Sequence, residues 1–351
     1  MIIATVKLYR YLLPLKRPLI LRTRRLEQRT GYLVRFIDEN GREGVGEAAP
    51  LPGFSREWVY ETKLQLQRCA GLLAGQEISN VEEALNGLTP VVGTLFPSVR
   101  FGLHTALSMT SAAGLPASPC RDFVSLNALI TMDMRDCVEE LSRIRESGYR
   151  TVKIKVGSDY PELDAEAVRK IAHALGDSVR LRLDANRRWS IQKALHFAER
   201  VAGCNIEYVE EPVRSLAELR LFAKHATLPY ALDETLHDEV VEPPLAEGAA
   251  AWVIKPTLGG LQALDRAESR AHRPKLVVSS SHESGFGLSV LALMAASLND
   301  SDVPAGLDTY GWLGSDLLAK PLPLPSPILK SADVLESMRS IDFGRCEEID
   351  W

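Results

Sequence analysis

Six charged side chains recur at regular intervals through the middle of the chain. They are Lys153 and Lys155 in "TVKIKVG", Asp184 in "VRLRLDAN", Glu210 in "IEYVEEP", Asp233 in "YALDE" and Lys255 in "AWVIKP". Each stands at the end of a short apolar run. From Asp184 to Glu210, Asp233 and Lys255 the separations are 26, 23 and 22 residues, similar to one strand–helix unit of a compact parallel barrel. Three acids are therefore expected at one level on three neighbouring strands, with lysine on the strand to either side. Converging carboxylates repel one another and lose hydration, and a divalent cation removes both problems. Oxygen-only ligands with room left for water or substrate suit Mg²⁺ or Mn²⁺ better than Zn²⁺. A single acid at a strand end is commonly just a helix cap or loop anchor, and a structural ion-pair network is the bland alternative for all six. Buried charges without a task would each cost several kcal/mol unless paired.

In "TVKIKVG" alternation sends Val152, Ile154 and Val156 to one face and both lysines to the other. Two ammonium groups about 6.5 Å apart repel by roughly 2–3 kcal/mol at an effective dielectric near 20, which would depress one lysine's pKa, and a nearby dication would push the same way. A depressed lysine is a general base near neutral pH. Facing a metal-held carboxylate, it suggests proton abstraction from the adjacent carbon, the second lysine sheltering the enediolate.

The elements that must position these groups can be read around them. Eight short runs, "FVSLNALI", "TVKIKV", "VRLRLDAN", "IEYVEEP", "YALDE", "AWVIKP", "KLVVSS" and "PAGLDT", alternate with seven helix-length segments. That rhythm predicts parallel βαβ units closing into an α/β barrel, whose C-terminal mouth carries the chemistry. Before it, "YLVRFIDENGREGVGEAAP" reads as a hairpin turning at Asp38-Glu39-Asn40-Gly41. Helices are expected around Trp58–Leu73 and Val99–Ala113. "GLPASPC" breaks the pattern, which places a boundary near Ala117. The predicted division is a mixed α+β domain over 1–117, a barrel over 118–310 and a proline-rich tail over 311–351 that returns to the first domain.

Composition narrows the function classes. A net charge of −5 and a pI near 5.9 give no long-range attraction for nucleic acid or anionic membrane. No apolar run reaches the roughly 18 residues that span a bilayer, and Lys7 and Arg10 interrupt the N-terminus where a signal peptide is apolar. Five scattered cysteines, none in a C-x-x-C pair, argue against a disulfide framework or zinc site. The expected partner is a small-molecule carboxylate, and the expected home a reducing cytoplasm.

The motifs "KIK", "LDAN", "VEEP", "LDE" and "IKP" together resemble the enolase superfamily in its muconate-lactonizing subgroup, across nearly the whole chain. The resemblance implies a (β/α)7β modified TIM barrel with an α+β N-terminal capping domain completed by the C-terminal tail. It implies that Asp184, Glu210 and Asp233 ligate Mg²⁺, that Lys155 is the base, and that Lys153 and Lys255 stabilise the enediolate. "LRTRRLEQRTGYLV", "GEAAPLPGFS", "PSVRFGLHTALS", "LRLDANRRW", "IKPTLGG", "SSSHESGFGL" and "GLDT" are similar to the subgroup's dehydratases of quinone biosynthesis. Those enzymes aromatise 2-succinyl-6-hydroxy-2,4-cyclohexadiene-1-carboxylate by loss of water. Relatives that racemise N-acylamino acids use the same opposed lysines, here Lys155 and Lys255. Muconate cycloisomerases share the scaffold too. Dipeptide epimerases typically carry Asp-x-Asp at strand eight, where this chain has Asp308-Thr309-Tyr310. A non-catalytic barrel would have lost a lysine or an acid, and none is missing.

Weaker candidates surround the core. Arg182 shares Asp184's face and is either a substrate contact or an interior ion pair. Asn186 is a hydrogen-bonding group near the metal or the cap of the next helix. Ser279 and Ser280 end strand seven, where they are expected to hold the succinyl carboxylate or merely to turn the chain. The resemblance implies that the early loop Ile20–Thr30 closes over the site, while its run of Arg22, Arg24, Arg25 and Arg29 by itself reads as a solvated face. His282 stands where an apolar residue is more usual.

Overall fold

The computed structural model describes residues 1–21, 24–111, 121–130, 137–238, 243–261, 264, 267, 274–298 and 302–351. The expected boundary at Ala117 and Arg22 of the early loop lie outside the described residues. The chain opens with an antiparallel sheet of β1 (Ile3–Leu21), β2 (Arg24–Asp38) and β3 (Glu43–Ala48). Gly41, at φ 76°, makes the turn between β2 and β3. Helices Val59–Leu73, Val81–Val92 and Pro97–Thr110 cover one face, and Ile3, Val34, Phe36, Leu66, Val99 and Leu103 are buried between the layers. The last helix comes unusually close to the sheet. A Cβ at Gly46 would sit 1.8 Å from the Gly102 carbonyl oxygen, so "GVGEAA" needs its glycines for close approach rather than for flexibility.

β1 and β2 continue far past the sheet as a hairpin, pairing to its tip at Leu21 and Arg24. The early basic segment is thus strand rather than the expected loop. Its inner side is apolar: Leu19 and Leu21 pack with Leu51, and Leu15, Leu26, Phe54, Leu258 and Trp312 join them.

The barrel follows. β4 (Phe123–Ser125) precedes a parallel sheet of β5 (Ala128–Ile130), β6 (Thr151–Lys155), β7 (Arg180–Asp184), β8 (Ile206–Glu210), β9 (Tyr230–Leu232), β10 (Ala251–Ile254) and β11 (Leu276–Val278), in that order. The eighth run, "PAGLDT", contributes bridges rather than a full strand. Ala305 pairs in parallel with Leu126 and Gly306 with Ser279, and these close the cylinder. "FVSLNALI" likewise divides, because β4 turns out of the barrel to meet β12 (Ile328–Lys330) of the tail. β13 (Glu347–Ile349) then pairs with β1, so the tail ends on the first sheet. Tyr208, Ala231, Ala251, Val253, Val277 and Val303 form a buried cluster of their own, centred on strands β8 to β11. Serines at 190 and 215 cap the helices Ile191–Arg200 and Leu216–His225 through their side chains. Among the described residues no helix is long and apolar enough to cross a membrane.

Arg182 lies two residues before Asp184 and is fully buried. Its Nε donates to Glu207 Oε2 at 2.7 Å, and its Nη1 to Pro304 O at 2.6 Å and Asn127 Oδ1 at 3.2 Å. Lys275 meets the other Glu207 oxygen at 2.6 Å. Arg182 is therefore engaged in an interior ion pair: sharing a face by alternation still sets it about 6.6 Å back along the strand from Asp184. Burial raises the Glu207 pKa, but Arg182 and Lys275 outweigh it and hold the group down at about 2. Its folded pKa lies below its ordinary value of 4.5, so the stabilisation is present above about pH 4.5 and lost as pH falls toward about 2. Glu207→Gln should cost roughly 3 kcal/mol at pH 7, and the gap from the parent should close on acidification. Urea midpoints at pH 7, 5 and 3 measure this.

Candidate active site

All six strand-end charges gather at the C-terminal mouth. Register explains how. Lys155 pairs with Asp184, and Asp184 with Glu210, so those three are level. Glu210 pairs with Ala231, which leaves Asp233 two residues further along, not level as expected. The offset is what a closed barrel demands. Tilted strands climb about one residue per strand, and inward-facing positions can absorb that only in steps of two.

Asp184, Glu210 and Asp233 are almost fully buried, and each carries lysine. Lys153 Nζ lies 2.8 Å from Asp184 Oδ2 and 2.8 and 2.9 Å from the two Glu210 oxygens. Lys155 Nζ donates to the same Asp184 oxygen at 2.6 Å and to Asn186 Oδ1 at 2.9 Å. Lys255 Nζ donates to Asp233 Oδ2. Ammonium and carboxylate thus alternate around the rim. Among the described residues no three His, Cys, Asp or Glu side chains close into a ready-made cage; each acid has drawn a lysine to itself.

One lysine of the Lys153–Lys155 pair is expected to be depressed, and it is not Lys153. Burial would lower its pKa, but Asp184, Glu210 and Asp233 more than compensate and hold it well above the ordinary value. Lys255 is raised in the same way, burial being outweighed by Asp233 and Glu210. The lysine–lysine repulsion considered from sequence is the smaller effect, because carboxylates stand at contact distance. Burial opposes the charge of Asp184, yet Lys153, Lys155 and Lys255 keep its pKa below the usual range. Burial, then the Asp184 charge, push Glu210 up.

The donor set suits a hard dication. It offers carboxylate oxygens alone, and Asp233 Oδ1 is buried with no hydrogen-bond partner, an arrangement that costs stability unless something charged meets it.

Asn186 is a rim residue rather than a helix cap, since Ser190 caps the following helix. It accepts from Lys155 and donates to Glu234 Oε1 at 3.3 Å. Ser279 and Ser280 turn inward on the fold: their hydroxyls donate to Gly306 O at 3.4 and 3.1 Å, and Ser280 Oγ is 2.8 Å from Thr309 Oγ1. The closing eighth segment thus engages both hydroxyls.

Three residues given no site role from sequence hold the site together. Glu211 accepts from the Asp233 and Thr235 backbone N–H groups, both at 2.8 Å, and from Thr235 Oγ1 and Arg187. It thereby aims Asp233. Arg29, expected on a solvated face, is 1% exposed and ties β2 to the loop after β11. Glu47 adds a second tie, accepting from Tyr11 Oη at 2.5 Å and from the Ser284 and Gly287 N–H groups at the start of helix Gly285–Leu298. Asn186, Arg187, Glu211 and His282 are the described non-glycine residues with positive φ, and all four follow barrel strands at the rim. Strained backbone concentrates where side chains must be aimed. A cavity of about 50 Å³ opens between Phe54 and Arg56 on one side and Asp233, Glu234, His237, Lys255 and Leu258 on the other.

Comparison with known proteins agrees with this geometry. Residues 136–324 match the family described as enolase C-terminal domain-like, and residues 3–110 match the MenC N-terminal domain. The chain is 38% identical to the o-succinylbenzoate synthase of Edwardsiella ictaluri, over 89% of this chain and 92% of that one. Among solved structures it is similar to the L-Ala-D/L-Glu epimerase from Bacillus subtilis, with 24% identity, a TM-score of 0.80 and coverage of 94% and 96%. A dipeptide epimerase from Cytophaga hutchinsonii, solved with Mg and D-Ala-L-Val, shares 24% identity, a TM-score of 0.78 and coverage of 94% and 93%. Likeness at that identity speaks for the fold alone.

Proposed function

The chain belongs to the o-succinylbenzoate synthases of the enolase superfamily, and on that premise we propose that the six strand-end charges are its working site. The reaction is the dehydration of 2-succinyl-6-hydroxy-2,4-cyclohexadiene-1-carboxylate to o-succinylbenzoate on the route to menaquinone. Its small-molecule substrate sits between residues 1–117, acting as a cap, and the barrel of 118–310, with 311–351 completing the cap. The supporting observation is the ring of alternating carboxylates and ammonium groups at one end of a parallel barrel.

Asp184, Glu210 and Asp233 would hold Mg²⁺, or Mn²⁺ in its place, and the ion would supply positive charge against the substrate's ring carboxylate. Lys155 takes the proton from the carbon beside that carboxylate. Its two contacts favour this role. A neutral amine keeps two N–H bonds, which Asp184 and Asn186 can fix, and its remaining lone pair is then aimed away from both. The ammonium groups of Lys153 and Lys255 face the negative charge that develops on the enediolate. Expulsion of the hydroxyl aromatises the ring, and Lys155 returns the proton so that water departs. One residue serves both steps.

Supplying the cyclohexadiene substrate with Mg²⁺ should yield the aromatic product, followed by its ultraviolet absorbance. EDTA should stop the reaction and excess Mg²⁺ restore it. Absence of product in the presence of Mg²⁺ would overturn the reading.

A further inference from the structure

His282 follows the three serines after β11, on the barrel rim, and it is held from several sides. Its backbone is at φ 60°, in the left-handed region that side-chain-bearing residues seldom occupy. The buried Arg29 guanidinium donates to the His282 carbonyl at 2.9 Å and to the Ser281 carbonyl at 3.5 Å. The same guanidinium grips Pro50 O and Ala49 O, both at 3.0 Å. The imidazole meets Trp312 edge-on, with ring centroids 5.6 Å apart and planes at 80°. Arg17 covers Trp312 at 3.9 Å. Arg29 thus ties the backbone at His282 to a cap strand and a cap loop, while Trp312 of the tail meets its side chain.

With so much support, its chemistry is left unused. His282 Nδ1 is buried with no hydrogen-bond partner, and so is the neighbouring Ser281 Oγ. A buried polar nitrogen without a partner asks for one. The nearby hydroxyls of Ser279 and Ser280, by contrast, bond to the closing segment. The ring is a neutral one: burial pushes its pKa down to about 3, and the charges of Arg29, Lys155 and Lys255 press the same way. Neutral imidazole donates from one nitrogen and accepts at the other, and it adds no charge beside the lysines.

Resting on the reaction assigned above, we propose that His282 is a specificity-determining substrate contact whose imidazole hydrogen-bonds an oxygen of the succinyl arm. The ring carboxylate is left to the lysines and to the cation that the acids would hold. The rim would then recognise the arm by a group that rejects chains lacking an oxygen, since an unpaired buried partner discriminates strongly.

The test compares two ligands and two variants. His282→Gly removes the imidazole and accepts the left-handed backbone without strain, while His282→Asn keeps a polar atom near Nδ1 and tolerates that backbone. Dissociation constants are measured calorimetrically with Mg²⁺ for o-succinylbenzoate and for 2-butylbenzoate, which keeps the ring carboxylate but has no oxygen in its chain. The Gly variant should lose about ten-fold or more in affinity for o-succinylbenzoate and less than about two-fold for 2-butylbenzoate. The Asn variant should retain most of the parent's preference. Equal losses for both ligands mean a structural role and overturn the proposal, as does no loss at all. Turnover of the diene by the parent reads the reaction itself, so the two assignments fail separately.

Discussion

Exchanging Lys155 for alanine is expected to lower turnover by about 10³-fold or more, while Mg²⁺ continues to raise the melting temperature. The three rim lysines are not equivalent. The Lys155 side chain is 38% exposed, against 11% for Lys153 and 12% for Lys255, so it is the most accessible of the three. It also spans both steps of the proposed reaction, and removing it withdraws the acceptor for the carbon proton and the donor for the departing hydroxyl. The ligand set should be left whole. Lys155 touches Asp184 and Asn186 but neither Glu210 nor Asp233, and its loss frees an Asp184 oxygen from one competing ammonium. The melting shift with free Mg²⁺, which grows as the logarithm of its concentration over the dissociation constant, should therefore equal or exceed the parent's. Product absorbance and melts with and without Mg²⁺ check both halves. Turnover within ten-fold of the parent would remove Lys155 from its role.

The contrast between these lysines marks the limit of what the chain discloses before it folds. Spacing and alternation were enough to bring Asp184, Glu210, Asp233, Lys153, Lys155 and Lys255 to one rim, because period-two strands and a repeating βα unit leave few other placements. Alternation fixes a side but not a depth, and so Arg182 was legible as inward-facing and not as buried below the site. Nor could it show that "PAGLDT" closes the cylinder with single bridges, since that depends on how far seven strands already curl. Arg29 looked like one of a solvated run. What buries it is four carbonyl oxygens brought together from residues 49, 50, 281 and 282, and no local pattern announces such a meeting. Glu211 was hidden in plain view behind Glu210 in "VEEP". Two adjacent acids point to opposite sides, and only the strand-end geometry shows that one faces the site while the other pins the next strand.

Asp184→Asn probes the node on which the rim charges depend. One Asp184 oxygen receives both Lys153 and Lys155, and the other accepts from the Asn186 backbone N–H at 3.1 Å. Asparagine keeps the shape and removes the charge. Two ammonium groups then share a largely buried site with Glu210 as the main counter-charge for Lys153. Breaking a buried pair by removing one partner costs about 3–5 kcal/mol, and that loss should appear in urea unfolding without added metal. Part of it is offset at Glu210, which burial and then the Asp184 charge hold above its ordinary pKa and which ionises more readily once that charge is gone. The second effect separates this variant from the lysine one. A ligand is lost here, so Mg²⁺ up to millimolar concentration should no longer raise the melting temperature, and activity should fall below detection despite an intact Lys155. Base loss with metal response kept, and metal response lost with base kept, are distinct outcomes of the same two measurements. An undiminished Mg²⁺ shift in Asp184→Asn would mean that the acids serve the lysines alone, and the alternation around the rim would then be an ion-pair network rather than a seat for a cation.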